Sequence, residues 1–185
     1  MKSNELLVII DRDGTIIEND DFFGKNDNWR EELKYKEDVI SLLSYLQTKY
    51  RTTKIVVTNQ TGVARKLFDC ERVEEINNYL DRELIRRGIK IANWQYCPDA
   101  DSAYAELKKD EIGFDWSFVK EKTKRKPDVG MVLDALRELR RELGEFSKIV
   151  VIGNGRDDHE LAENLQAKYI SVSGKNYEEL LKEFS

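Results

Sequence analysis

Cysteine, proline and histidine are all scarce here, with two, two and one copies among 185 residues. Two cysteines, Cys70 and Cys97, make no disulfide framework, so a reducing, cytoplasmic setting is expected. The apolar run Leu6-Leu7-Val8-Ile9-Ile10 is far shorter than the roughly 20 residues that cross a bilayer, and charge follows it at once. No secretory signal pattern precedes it. No repeat, low-complexity tract or second core is visible, so residues 1–185 read as one domain. The net charge of -5 weighs against a dedicated nucleic-acid binder. The single histidine, His159, follows two aspartates at a helix start and reads as an exposed helix residue rather than a catalyst.

What is abundant is a regular alternation of apolar runs and amphipathic stretches. Leu6–Ile10 is short, unbroken and rich in branched side chains, as in a parallel strand buried on both faces. Residues 18–35 are polar with interspersed aromatics and read as a long loop. Helical spacing follows over 37–49, 70–87, 131–143 and about 158–166, with a further helix closing the chain. Strands are expected at 55–57, 91–96, 149–152 and 169–172, and 98–124 reads as irregular. This alternation predicts an α/β fold with a central parallel sheet and helices on both faces.

Polar clusters gather where strands end. Asp11-Arg12-Asp13-Gly14-Thr15 follows the first strand, Thr58-Asn59-Gln60 the second, and Gly153-Asn154-Gly155-Arg156-Asp157-Asp158 the fourth. A further cluster, Arg125-Lys126-Pro127, precedes a helix. Parallel strands bring their C-terminal ends to one edge, where open α/β sheets place ligands. A carboxylate there can attack phosphorus while its neighbour moves a proton. Hydroxyls and backbone N–H groups can hold phosphate oxygens, and a lysine can offset their charge.

In order and spacing these pieces resemble the haloacid dehalogenase superfamily of phosphatases. The nearest resemblance is to its small-capped subgroup IIIA, which holds D,D-heptose 1,7-bisphosphate and histidinol-phosphate phosphatases. Asp11–Ile16, Val57–Arg65, Tyr96-Cys97-Pro98, Arg125-Lys126-Pro127 with Gly130-Met131, and Gly153–Asp158 carry it. The resemblance implies a Rossmann-like sheet with a minimal cap and a Mg²⁺-dependent phosphomonoesterase working through an aspartyl-phosphate. The substrate it implies is a small phosphorylated sugar or related metabolite. By position, Asp11 resembles the nucleophile, Asp13 the acid/base and Lys126 the charge-neutralising lysine. Thr58 and Asn59 resemble phosphate-binding residues, and Arg65 and Arg125 substrate contacts. Asp11, Asp13, Asn154 and Asp158 resemble the metal set. A polynucleotide 3′-phosphatase shares several of these motifs, and a non-catalytic phospho-ligand-binding module is a third reading.

Two departures stand out. Where the family's last motif begins Gly-Asp, this chain has Gly153-Asn154. An asparagine oxygen can ligate Mg²⁺ but brings no charge. Weaker metal binding, compensation by Asp157 or Asp158, and loss of catalysis are the three outcomes open at this point. The zinc-loop positions of the heptose phosphatases fall on Cys97, Asp99, Lys122 and Lys124, and one cysteine cannot hold a tetrahedral zinc, so no zinc is expected. Tyr104, Phe114, Trp116 and Phe118 are expected to order that segment by packing. The basic run from Lys120 to Lys126 reads equally as an anion-steering edge or a solvated loop.

Overall fold

Five parallel strands form the sheet of the computed structural model, which describes residues 4–18 and 22–184. They are β1 (Glu5–Ile10), β2 (Arg51–Asn59), β3 (Asn93–Cys97), β6 (Lys148–Gly153) and β7 (Lys168–Ser171), in the order β3-β2-β1-β6-β7. β4 (Ala100–Asp101) and β5 (Val119–Lys120) pair with each other outside this sheet. The helices are α1 (Trp29–Glu32), α2 (Glu37–Lys49), α3 (Cys70–Arg86), α4 (Ser102–Lys108), α5 (Gly130–Glu138), α6 (Arg156–Asn164) and α7 (Tyr177–Phe184).

β1 is central and every residue in it is buried. Its alternate side chains serve two cores. Leu6, Val8 and Ile10 pack with residues of α2, α3 and α7. Leu7 and Ile9 pack on the other face with Met131, Val132, Ala135 and Leu136 of α5 and Leu161 and Ala162 of α6. The period of two explains why an unbroken apolar run was required. No described helix is long and apolar enough to cross a membrane.

The chain builds outward from β1 through β2 to β3, then crosses to the opposite side for β6 and β7. The order therefore reverses between β1 and β6, and a crevice opens beyond their C-terminal ends. Asp11 and Asn154 sit on its two sides, and the Asp11 N–H still donates to the Ile152 carbonyl at 3.0 Å.

Expectations needed correction in three places, residues 131–143, 98–124 and 18–35. The 131–143 helix stops at Glu138, because Arg140 takes a left-handed conformation (φ 55°). The Arg140 and Arg141 N–H groups then close on the carbonyls of Arg137 and Leu136. The irregular 98–124 segment holds α4, β4, β5 and a 3-10 turn at Trp116–Phe118. Asp101 caps α4 by accepting from the N–H groups of Ala103 and Tyr104. As expected, aromatics order this segment: buried Phe114 packs with Ala64, Ala100 and Ala105, edge-on to Tyr104.

The 18–35 loop, of which residues 19–21 lie outside the described set, carries the one-turn helix α1. Trp29 drives that turn into the core at 1% exposure, edge-on to Phe23 and Tyr79. Trp29→Ala should lower stability by about 3–5 kcal/mol, measured by urea unfolding. A loss under 1 kcal/mol would show that the loop is not anchored there.

Candidate active site

Four segments meet in a cavity of about 430 Å³ at the crevice, lined among others by Asp11, Asp13, Thr58, Lys126, Asn154 and Asp158. Lys126 is at its base, 3% exposed. Its Nζ donates to Asp11 Oδ1 at 2.5 Å and Asp158 Oδ1 at 2.7 Å. Burial alone would lower the lysine's pKa, but the two carboxylates outweigh it and hold the ammonium above its ordinary range. Asp11 is pushed up to about 6, first by burial and then by Asp158 and Asp13, with Lys126 acting against them.

The backbone that presents Asp11 depends on Gly14, at φ +80°. A Cβ there would be strained and would overlap the Asn154 side chain. Lys36 Nζ steadies the turn by donating to the Gly14 carbonyl at 3.2 Å. Thr15 Oγ1 lies 3.2 Å from Asp11 Oδ2 and 3.5 Å from Asn154 Oδ1, so the two oxygens flank one hydroxyl. Gly153 has a parallel role: a Cβ there would overlap the Asp158 carboxylate, which folds back over the strand end.

Asp13 is held differently. Arg12, fully buried, grips it with two hydrogen bonds of 2.9 Å, from Nε to Oδ1 and from Nη2 to Oδ2. Gln60 Nε2 donates to Asp13 Oδ2 at 2.6 Å and to Thr58 Oγ1 at 2.7 Å, joining the second carboxylate to the strand-end hydroxyl. Arg12 Nη1 donates to Asn77 Oδ1 of α3 at 2.8 Å.

Two expected site residues have other work in this geometry. Asn59, expected beside Thr58 on phosphate, clasps the backbone of Lys126. Its Oδ1 accepts from the Lys126 N–H at 2.8 Å, and its Nδ2 donates to the Lys126 carbonyl and to Asp157 Oδ2. Asp158, expected among metal ligands, spends Oδ1 on Lys126 and Oδ2 on the N–H groups of Asn154 and Gly155, each at 3.1 Å. Among the described residues no group of three or more His, Cys, Asp and Glu side chains is arranged to hold a metal.

Arg125 donates to Thr61 Oγ1 and to Asp157 Oδ2 and lines both this cavity and a neighbouring one of about 370 Å³. Arg65 lines the second cavity and not the one that holds Asp11. Its guanidinium stacks 4.3 Å from the Phe22 ring, and its buried Nε has no hydrogen-bond partner among the described residues.

No family model matches the chain. Relatives do. A probable D-glycero-D-manno-heptose-1,7-bisphosphate 7-phosphatase of Thermoplasma acidophilum is 30% identical over 177 residues, 94% of each chain. A D-glycero-beta-D-manno-heptose-1,7-bisphosphate 7-phosphatase of Neisseria meningitidis is 29% identical over 168 residues, covering 86% of this chain and 87% of its own. The chain belongs to the haloacid dehalogenase superfamily of phosphatases. Solved structures agree on the fold. A D,D-heptose bisphosphate phosphatase from B. bronchiseptica, complexed with magnesium and phosphate, superposes with a TM-score of 0.65 at 24% identity, covering 98% of this chain and 86% of that one. A putative HAD-like phosphatase from Mesorhizobium loti gives 0.70 at 19% identity, covering 91% and 73%.

Within this phosphatase three cations of the basic run are paired with carboxylates. Lys124 pairs with Asp134, while Arg125 and Lys126 turn into the site. Cys97 is buried at the end of β3, and burial raises its thiol pKa. His159 is exposed, as expected, with its ring against Tyr169. Tyr169 itself was missed by sequence reasoning. Its one hydroxyl proton is shared between the carbonyls of Gly153 and Gly155, bracing the Asn154 loop, and nothing in a strand tyrosine signals that.

The raised Asp11 pKa gives a signed prediction. A carboxyl whose folded pKa lies above its ordinary 3.8 contributes stability below that value and loses it as pH rises through about 6. Asp11→Asn should therefore stabilise the metal-free protein by ~1–3 kcal/mol at pH 7.5, and the gain should vanish by pH 4. Urea unfolding in chelator at both pH values checks this. Equal stabilities at pH 7.5 would mean that the buried charge carries no cost.

Proposed function

We propose that this phosphatase hydrolyses a small phosphorylated sugar through an aspartyl-phosphate on Asp11. The observation that carries the reading is one cavity holding a buried carboxylate–lysine pair, a second carboxylate two residues on, and a strand-end hydroxyl. The sugar substrate rests on the relatives named as heptose bisphosphate phosphatases.

An Asp11 oxygen attacks phosphorus as the bond from phosphorus to the leaving alcohol oxygen breaks. Asp13 gives that oxygen its proton. Asp13 then takes a proton from water, the water oxygen bonds to phosphorus, and the Asp11–phosphorus bond breaks to release phosphate. Thr58 Oγ1, at the strand end, holds a phosphoryl oxygen, and Lys126 offsets charge on Asp11 and the transferring group. Arg65 and Arg125 meet the leaving group in the adjoining cavity.

The donors around Thr15 fit a hard divalent cation, since Asp11 Oδ2 and Asn154 Oδ1 both flank its hydroxyl. With the backbone carbonyl of Asp13 they would hold Mg²⁺, and Asp158 would keep Lys126 in place instead. Bound Mg²⁺ supplies positive charge to the phosphoryl oxygens.

Phosphate release tests the reading on sugar mono- and bisphosphates and on a 3′-phosphorylated oligonucleotide, with and without Mg²⁺. Turnover is expected on sugar phosphates with Mg²⁺, reduced at least about 10³-fold by Asp11→Asn. Oligonucleotide turnover alone would assign the site to nucleic-acid ends, and silence on every substrate would favour a binding module. The asparagine gives a separate test. Asn154→Asp adds one charge to the proposed ligand set, so Mg²⁺ should bind about tenfold tighter by calorimetric titration. An unchanged affinity would remove Asn154 from the metal.

A further inference from the structure

α3 presents an apolar stripe to the core: Val73, Ile76, Leu80 and Leu84 are each 1% exposed or less. Asn77 lies on that stripe and is itself buried, at 5% exposure. A buried amide among aliphatic side chains is costly unless bonded. Its Oδ1 accepts from Arg12 Nη1 at 2.8 Å. Arg12 is the bulkiest charged group fully enclosed by this protein, and its remaining bonds go to Asp13 through the fork of Nε and Nη2. A planar guanidinium held at its third corner cannot rotate about Cδ–Nε without breaking that bond. The angle of the fork thus depends on α3, and the angle of the Asp13 carboxylate depends on the fork.

We propose that Asn77 is a positioning residue for the acid/base carboxylate: through Arg12 it sets where Asp13 delivers its proton. This rests on the reading of Asp13 as acid/base. Gln60 Nε2 also donates to Asp13 Oδ2, at 2.6 Å, so fork and amide together restrict how the carboxylate can turn. A proton donor displaced from the leaving oxygen slows esters of poorly leaving alcohols most. Esters whose alkoxide leaves unaided are spared in the step that forms the aspartyl-phosphate, which kcat/KM reports; water attack on that intermediate is common to all esters and enters kcat alone. That dependence separates positioning from a purely structural role, which slows all esters alike.

The experiment compares an alkyl ester, a hexose 6-phosphate, with p-nitrophenyl phosphate in the Mg²⁺-loaded enzyme. Asn77→Leu, close in shape but without an acceptor, should lower kcat/KM on the alkyl ester about tenfold or more, within the roughly 10²–10⁴-fold worth of general acid–base catalysis. The kcat/KM on p-nitrophenyl phosphate should stay within about threefold. Asn77→Asp, which restores an acceptor for Arg12, should recover most of the loss. If Asn77→Leu fails to fold, Asn77→Ala carries the same comparison without adding bulk to the core. Equal losses on both esters, or none, would overturn the proposal. Asp13→Asn is the control that keeps the two readings apart. If it shows the ester dependence and the Asn77 variants do not, only the positioning role fails. If Asp13→Asn shows none either, the acid/base reading fails with it.

Discussion

The buried ammonium of Lys126 is the constraint around which the active edge is arranged. It lies between Asp11 at the end of β1 and Asp158 in the first turn of α6, with almost no access to water. An unpaired charge at that depth would cost several kcal/mol, so carboxylate must be delivered to it, and two side chains share that task. Each delivery imposes a demand on the backbone. Asp158 reaches back because Gly153 has no side chain, and Asp11 is presented above a Gly14 turn that no other residue fits without strain. Lys126 itself is fixed by the two-way clasp of Asn59 on its peptide groups. Three strand ends and one loop are thus tied by one charge.

This arrangement divides the polar residues into those that face the reacting group and those that hold them. Asn59, Asp158, Arg12, Tyr169 and Gln60 belong mostly to the second kind. Their bonds run to protein atoms, and between them they fix Lys126, the Asn154 loop, Asp13 and Thr58. Preorganised charge of this sort needs no rearrangement when phosphorus changes partners, which is where phosphoryl transfer gains most.

The distinction also explains what was legible in the sequence. Strand positions were readable because Leu6–Ile10 and Ile149–Ile152 are buried on both faces, which demands unbroken apolar runs. Their polar ends were readable because a parallel sheet gathers them. Residue type at a strand end does not reveal whether a side chain bonds to ligand or to protein, so Asn59 and Asp158 were placed with the ligands. Arg12 stands between two motif carboxylates and carried no role until its burial was known. Asn77 left a faint trace, a polar residue on an apolar helical stripe. The 98–124 segment was opaque because its order comes from distant contacts: the Asp115 N–H donates to the Ala64 carbonyl, and Phe114 packs on Ala64 across about fifty residues. The early stop of α5 was hidden because an arginine, not glycine, takes the left-handed turn.

Asn154 makes physical sense within the same balance of charge. Around the crevice four carboxylates, Asp11, Asp13, Asp157 and Asp158, face four cations, Arg12, Arg125, Lys126 and Arg156. A fifth carboxylate at 154 would stand close to Asp11, whose ionisation burial and neighbouring negative charge already oppose. The amide keeps an oxygen beside the same Thr15 hydroxyl without adding to that repulsion. The metal-free protein is spared a second like charge beside Asp11, and a cation held there would lose one source of attraction. The two effects come from the same atom, so a substitution that strengthens one must weaken the other.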